Sequence, residues 1–223
     1  MPSSQRPESV RDAWDLGRNA IPNLLDELEE HGILVFLLDY DGPSQVDGLC
    51  ARVDERPVIG LGPGWPGDRQ RFTAAHEFGH FILDDRLSSA VDMEDACNRF
   101  AGALLVPRTE VIEHLGKERK ELEPRELYRL KHKYGLSMAG WLHRAQELDV
   151  ISDSTYEDLR RQFDRRGWHE NEPGDDYPSQ EPSLFEELVY RAYSQDIIGE
   201  SKAAELLGTS SGQFYRRRTM TEE

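Results

Sequence analysis

The order of apolar and polar positions reads as a short group of strands set inside a largely helical chain. Over residues 10–30 the apolar residues Trp14, Ile21, Leu24, Leu25 and Leu28 follow helical spacing, with Pro22 placed to split the run. Residues 33–38, ILVFLL, form an unbroken stretch rich in strand formers. After the turn signals Asp41-Gly42-Pro43 and Asp47-Gly48, residues 49–53 and 57–61 predict two more strands, and the three together predict a small antiparallel sheet. Residues 62–67, GPGWPG, can only be a loop. Asp68 is placed to cap a helix over residues 69–83. A second helix is predicted over residues 92–105, stopped by Pro107, and shorter ones over 109–115, 124–134, 138–148 and 154–163. Pro124 suits a first helical turn and Ser137 a cap.

Periodicity then fails. Residues 168–182, WHENEPGDDYPSQEP, predict a linker or exposed loop, after which helical spacing resumes over 183–193 and a helix, turn and helix over 200–218, with Gly208 in the turn. The expected organisation is an α+β domain over residues 1–167, an acidic linker over 168–182, and a small helical tail over 183–223.

The chemistry is concentrated in His76-Glu77-Phe78-Gly79-His80. Histidines four apart on a helix share one face, so both imidazoles can reach one ion, and the carboxylate of Glu77 lies beside it. This is the H-E-x-x-H arrangement of zinc peptidases. The helix is apolar on most of its circumference, with Ala74, Phe78, Phe81 and Ile82 away from the histidines and Phe72 and Leu83 on their side. A catalytic zinc takes a third protein ligand and keeps one position open. The next helix offers Glu94, one step off the stripe Met93, Cys97, Phe100, Leu104, with Asp92 and Asp95 as competitors and Asp95 the more solvent-facing. Cys97 reads as a small core residue. Asp84, Asp85 and Asn98 are candidates for holding the ligands in place.

Charge narrows the partners. The chain of 223 residues carries 43 acidic and 27 basic side chains, a net charge of −16, which disfavours nucleic acid and anionic membranes. Residues 183–223 hold five basic and seven acidic residues, so Arg216, Arg217 and Arg218 point to docking on a partner, with direct DNA binding disfavoured. Two cysteines suggest no disulfide framework, and no stretch has the apolar length of a signal or a membrane span. A soluble cytoplasmic protein is expected.

Residues 71–84, RFTAAHEFGHFILD, followed by 93–107, MEDACNRFAGALLVP, resemble the ImmA/IrrE family of metallopeptidases. The second stretch is similar to that family's E-x-x-A-N-x-F-A-x-x-L-L-M-P, with Cys97 and Val106 as departures. The convincing likeness covers residues 32–107. It implies a compact zincin-like, gluzincin-type fold with additional C-terminal helices. It also implies His76, His80 and Glu94 as metal ligands and Glu77 as general base. Relatives of this kind act in the cytoplasm of bacteria or their mobile elements, in regulating transcription or responding to stress. They cleave, or relieve repression by, a helix-turn-helix regulator.

Zinc is the expected ion, with Mn or Fe compatible with the same donors. The expected reaction is hydrolysis of a peptide bond, in which Glu77 takes a proton from water and passes it to the leaving amine. Strand 57–61 is the candidate edge for pairing with an extended substrate. His114, His132, Tyr134 and His143 are unranked candidates for stabilising the oxyanion. The alternative is a metal-stabilised binding module that sequesters its partner without cutting it.

Overall fold

A computed structural model of the chain describes residues 7–38, 46–83 and 92–221. It divides into two units, residues 1–181 and 182–223. Among the described residues no helix is long and apolar enough to cross a membrane.

The first unit is α+β. It runs α1 (Pro7–Ala13), α2 (Leu24–Glu30), β1 (Leu34–Leu37), β2 (Gly48–Val53), β3 (Arg56–Leu61), α3 (Gly67–Leu83), α4 (Met93–Leu105), α5 (Arg108–Leu115), α6 (Pro124–Tyr134), α7 (Met138–Glu147) and α8 (Asp153–Arg166). The helix expected over residues 10–30 is two. Positive φ at Asp15 and Gly17 turns the chain after α1, and Asn23 caps α2 by accepting from the amides of Leu25 and Asp26. Buried Arg11 fixes that turn, donating to Gly17 O at 2.9 Å and also to the carbonyls of Asn19 and Leu104.

β2 and β3 form an antiparallel hairpin closed by Asp54 and Glu55, both at positive φ, the backbone of a two-residue primed turn. β1 lies on the other side of β3 and parallel to it, pairing Leu34 with Val58 through Leu37 with Leu61. The sheet is therefore mixed, in the order β1-β3-β2. This corrects the substrate-pairing edge: β3, the strand covering 57–61, is central and paired on both sides, and the edges are β1 and β2. Its pairing explains its burial, with Ile59 and Leu61 sealed at 0% and 1% exposure.

α3 crosses this sheet and is the centre of the unit. Ala74, Ala75, Phe78 and Leu83 are buried, and Trp14 stacks on Phe78 with ring centroids 5.0 Å apart. Asp68 does not cap α3. It sits inside the first turn, where its Oδ2 lies 3.5 Å from the buried ammonium of Lys131 on α6.

The stretch over residues 168–181 is irregular, as a linker would be, yet it is strapped onto the first unit at several points. Tyr177 O accepts from Gly67 N at 2.9 Å, and Gln70 and Gln180 exchange side-chain-to-backbone hydrogen bonds of 2.8 and 2.9 Å. Glu172 accepts from Met138 N and Ala139 N at the start of α7 and also lies 3.1 Å from Lys131 Nζ.

The second unit holds α9 (Leu184–Ser194), α10 (Glu200–Leu206) and α11 (Ser211–Thr219) around Val189, Ala203, Ala204 and Phe214. Gly208 turns the chain at φ 60°, and Ser210 and Gln213 form a capping box at the start of α11. The three arginines 216–218 occupy the last turn of α11, exposed.

Candidate metal centre

α3 and α4 are the most closely packed helices of the unit, and one glycine allows it. A Cβ at Gly79 would meet Phe100 Cδ1 at 3.2 Å and both Cα and Cβ of Cys97 at 3.4 Å. Cys97 is fully buried there, a packing residue of the crossing. The residue between the two histidines thus lets α4 approach near enough for its side chains to reach theirs.

They do reach. His76 Nε2 and His80 Nε2 stand 3.2 Å apart. Glu94 spans both, with Oε2 3.1 Å from His76 Nε2 and Oε1 3.5 Å from His80 Nε2. Donors held 2.0–2.1 Å from a tetrahedral ion stand about 3.3 Å from one another, and the two imidazole nitrogens and the nearer carboxylate oxygen of each contact lie close to that spacing. The histidine side chains are 15% and 25% exposed and Glu94 is 68% exposed, which leaves the cluster open on one side. The other nitrogen of His76, Nδ1, lies 2.9 Å from Asn98 Oδ1, an orientation that turns Nε2 toward the cluster. Among the described residues His76, His80 and Glu94 are the group of histidine and carboxylate donors that converges in this way.

The competitors separate cleanly. Asp92 is the N-cap of α4, its Oδ1 accepting from Asp95 N at 3.1 Å. Asp95 is exposed and outside the cluster. Asp84 and Asp85 lie outside the described residues. Glu77 is half-buried against the start of β2, where a Cβ at Gly48 would meet its Cγ at 3.2 Å, its Oε1 at 3.3 Å and Thr73 Cγ2 at 2.4 Å. Glycine at 48 therefore makes the room that the Glu77 carboxylate uses.

Of the four downstream candidates, two belong to one buried network. Tyr134 donates to Glu110 Oε2 at 2.8 Å and lies 3.0 Å from His114 Nε2; burial, then that bond and the Glu110 charge, push the phenol well above its ordinary range. His132 faces the strap, 3.1 Å from Asp175 O. His143 borders a cleft that Asn98 also lines. Sequence spacing carried no signal for that difference.

The family described as Peptidase_M78, the IrrE N-terminal-like domain, matches residues 28–146, which include every residue of this cluster. The chain belongs to the Peptidase_M78 family. Membership supports a metallopeptidase in general and a divalent metal, typically zinc, and the donor set on α3 and α4 fits such an ion. No curated protein matches the chain. Among solved structures, a Mycobacterium tuberculosis transcriptional regulator is similar at 20% identity and a TM-score of 0.39, covering 54% of this chain. The chain spans 39% of the length of that regulator.

Proposed function

We propose that this Peptidase_M78 protein is a cytoplasmic zinc-dependent endopeptidase, with His76, His80 and Glu94 as the protein ligands and Glu77 as the general base. The observation that carries the reading is the convergence of two imidazole nitrogens, 3.2 Å apart, with the Glu94 carboxylate, whose two oxygens lie 3.1 and 3.5 Å from them, on an open face of the unit. Two neutral imidazoles and one carboxylate suit zinc, and would accept Mn or Fe. When bound, the ion supplies a Lewis acid that acidifies water and polarises a carbonyl.

The remaining work falls to the chain. Glu77 takes the proton of the attacking water on its carboxylate and delivers it to the leaving amine. Glycine at 48 leaves space for that carboxylate at the start of β2. Asn98 holds His76 in one orientation through Nδ1. The substrate backbone is held extended along the outer edge of β2, which has no strand partner among the described residues and starts at Gly48 beside Glu77. The substrate class implied by the resemblance is a helix-turn-helix repressor. The second unit, with its arginines on α11 and its acids on α9 and α10, is read as a docking element for a protein partner.

The test is cleavage of any helix-turn-helix regulator found encoded beside this gene, by wild type and Glu77→Gln, with metal content assayed in both. Wild type is expected to cut. The variant is expected to keep its metal and lose about 10²–10⁴-fold in rate. Equal metal and no cutting by either protein would favour a module that sequesters its partner.

A further inference from the structure

A cleft of about 580 Å³ runs between α4 and α7, beside the proposed metal centre. Two residues join it to that centre. Asn98, the partner of His76, lines it, and so does Phe72, which precedes His76 by four residues and lies on the same face of α3. The volume falls within the range of built small-molecule sites, about 300–1,000 Å³. Residues with little or no side chain keep it open: Gly102 on α4, and Ala139 and Gly140 on α7.

The two glycines also answer to packing. A Cβ at Gly102 would meet Arg144 Cδ at 2.8 Å, and one at Gly140 would meet Leu136 Cδ1 at 2.6 Å. Ala139, partly packed on the core, already carries a Cβ and is the position at which a larger side chain tests the cleft. His143 projects from the same helix and is held by the hydroxyl of Tyr156, which lies 3.0 Å from Nε2 and 3.1 Å from Nδ1. Although the residue is exposed overall, desolvation of its ring and then Arg160 and His169 nearby lower its pKa from the ordinary histidine value.

Charges around the cleft are mixed, with three acids, Asp95, Glu147 and Asp153, and two bases, Arg99 and Arg144. Arg144 pairs with Glu147 and donates to Val106 O at 3.1 Å, and Gln146 donates to Asp153 at 2.9 Å. Asp95 and Arg99 on α4 are of opposite sign. With one acid in excess such a lining disfavours an anionic side chain, and the space beside Phe72 suits a large uncharged group with one polar tip. Phe72 offers a ring to pack on, and Asn98 and His143 offer hydrogen bonds to a hydroxyl or indole N–H.

We propose that this cleft is the substrate subsite adjoining the scissile bond, that it takes an aromatic side chain, and that His143 is a specificity-determining contact within it. The proposal rests on the peptidase reading given above. Its own content is the identity of the pocket and the class of side chain.

The experiment uses the full chain and a synthetic peptide library randomised at its central positions. Wild type is incubated with the library, and the cut products are sequenced by mass spectrometry. In parallel the uncut library is panned on immobilised Glu77→Gln. Both arms are repeated with Ala139→Leu, which fills the cleft, and with His143→Ala and His143→Gln. Metal content and melting temperature are recorded for each protein.

One position beside the cut is expected to favour Phe, Tyr or Trp over Ala by tenfold or more. Ala139→Leu is expected to shift that position to small residues. His143→Ala is expected to lose the preference through KM with kcat little changed, and His143→Gln to recover part of it for Tyr. If wild type cuts and neither His143→Ala nor Ala139→Leu changes the selection, the cleft is not the subsite and the peptidase reading survives alone. If nothing is cut but panning on Glu77→Gln still enriches aromatic peptides in a way that both variants abolish, the cleft stands as an aromatic-binding site, while its place beside a scissile bond and the peptidase reading fall. No cutting and no aromatic enrichment would overturn both. Should Ala139→Leu fail to fold, the His143 pair decides the matter.

Discussion

Helix α3 carries two clusters of three ionisable side chains, one at each end, and they are built on opposite plans. At its first turn Asp68 meets Lys131 and Glu172, with side-chain exposures of 6%, 3% and 10%. The cation there is part of the chain. It sets one positive charge between the two acids and staples α3 to α6 and to the strap over residues 168–181. At the other end His76, His80 and Glu94 converge with up to 68% exposure, and all three offer acceptor atoms when the imidazoles are neutral. A structural cluster brings its own counter-charge and seals itself. A cluster of converging acceptors on an open face is suited to a cation that arrives from solution, and the substrate can enter by the same route.

The sharpest way to break this contrast is at the open end. His80→Ala is expected to abolish stoichiometric metal binding and peptidase activity together while leaving the fold intact, as read by metal analysis and circular dichroism. A variant that still held one metal per chain would remove His80 from the site.

At the closed end the damage should be to stability. Lys131→Met leaves two buried carboxylates facing one another and is expected to cost about 3–5 kcal/mol in urea unfolding, with metal stoichiometry unchanged. The pH dependence sharpens this. Burial alone would lower the pKa of Lys131, but Glu172 and Asp68 outweigh it and hold it above the ordinary value of 10.5. A group whose pKa is raised on folding contributes stability below its unfolded pKa and loses it as pH rises through the folded one. The advantage of wild type over Lys131→Met should therefore hold up to about pH 10.5 and shrink above it.

Asn98→Ala tests the support of the open cluster. It is expected to weaken metal affinity about 10–100-fold, as loss of such an outer partner generally does, with little change in melting temperature. An unchanged affinity in competition with a chelator would mean that the His76–Asn98 bond positions nothing. Smallest of the four, Asp92→Ala removes the N-cap of α4 and should cost about 0.5–2 kcal/mol of stability with the metal retained, which separates a cap from a ligand.

Local spacing along the sequence was enough to determine the motif and its helix. Histidines at i and i+4 share a helix face whatever the rest of the chain does, and Glu94 on the margin of the next amphipathic helix could be found from its stripe. The α+β class and most helix bounds come from the same periodicities. Tertiary structure decided the features that depend on contacts between distant residues. Strand periodicity cannot say which strand is central, so the edge beside Glu77 proved to be β2 and not β3. Asp68 has the composition of a cap, yet Lys131, far along the chain, draws it into a buried pair. The segment 168–181 has the composition of a linker, yet Glu172, Tyr177 and Gln180 find partners on α2, α3, α6 and α7 that no local pattern reveals. His143 differs from His114 and His132 only by the neighbours the fold supplies. Local geometry is written in the order of side chains, whereas burial and partnership are properties of the packed chain, which is why the motif was legible in advance and its surroundings were not.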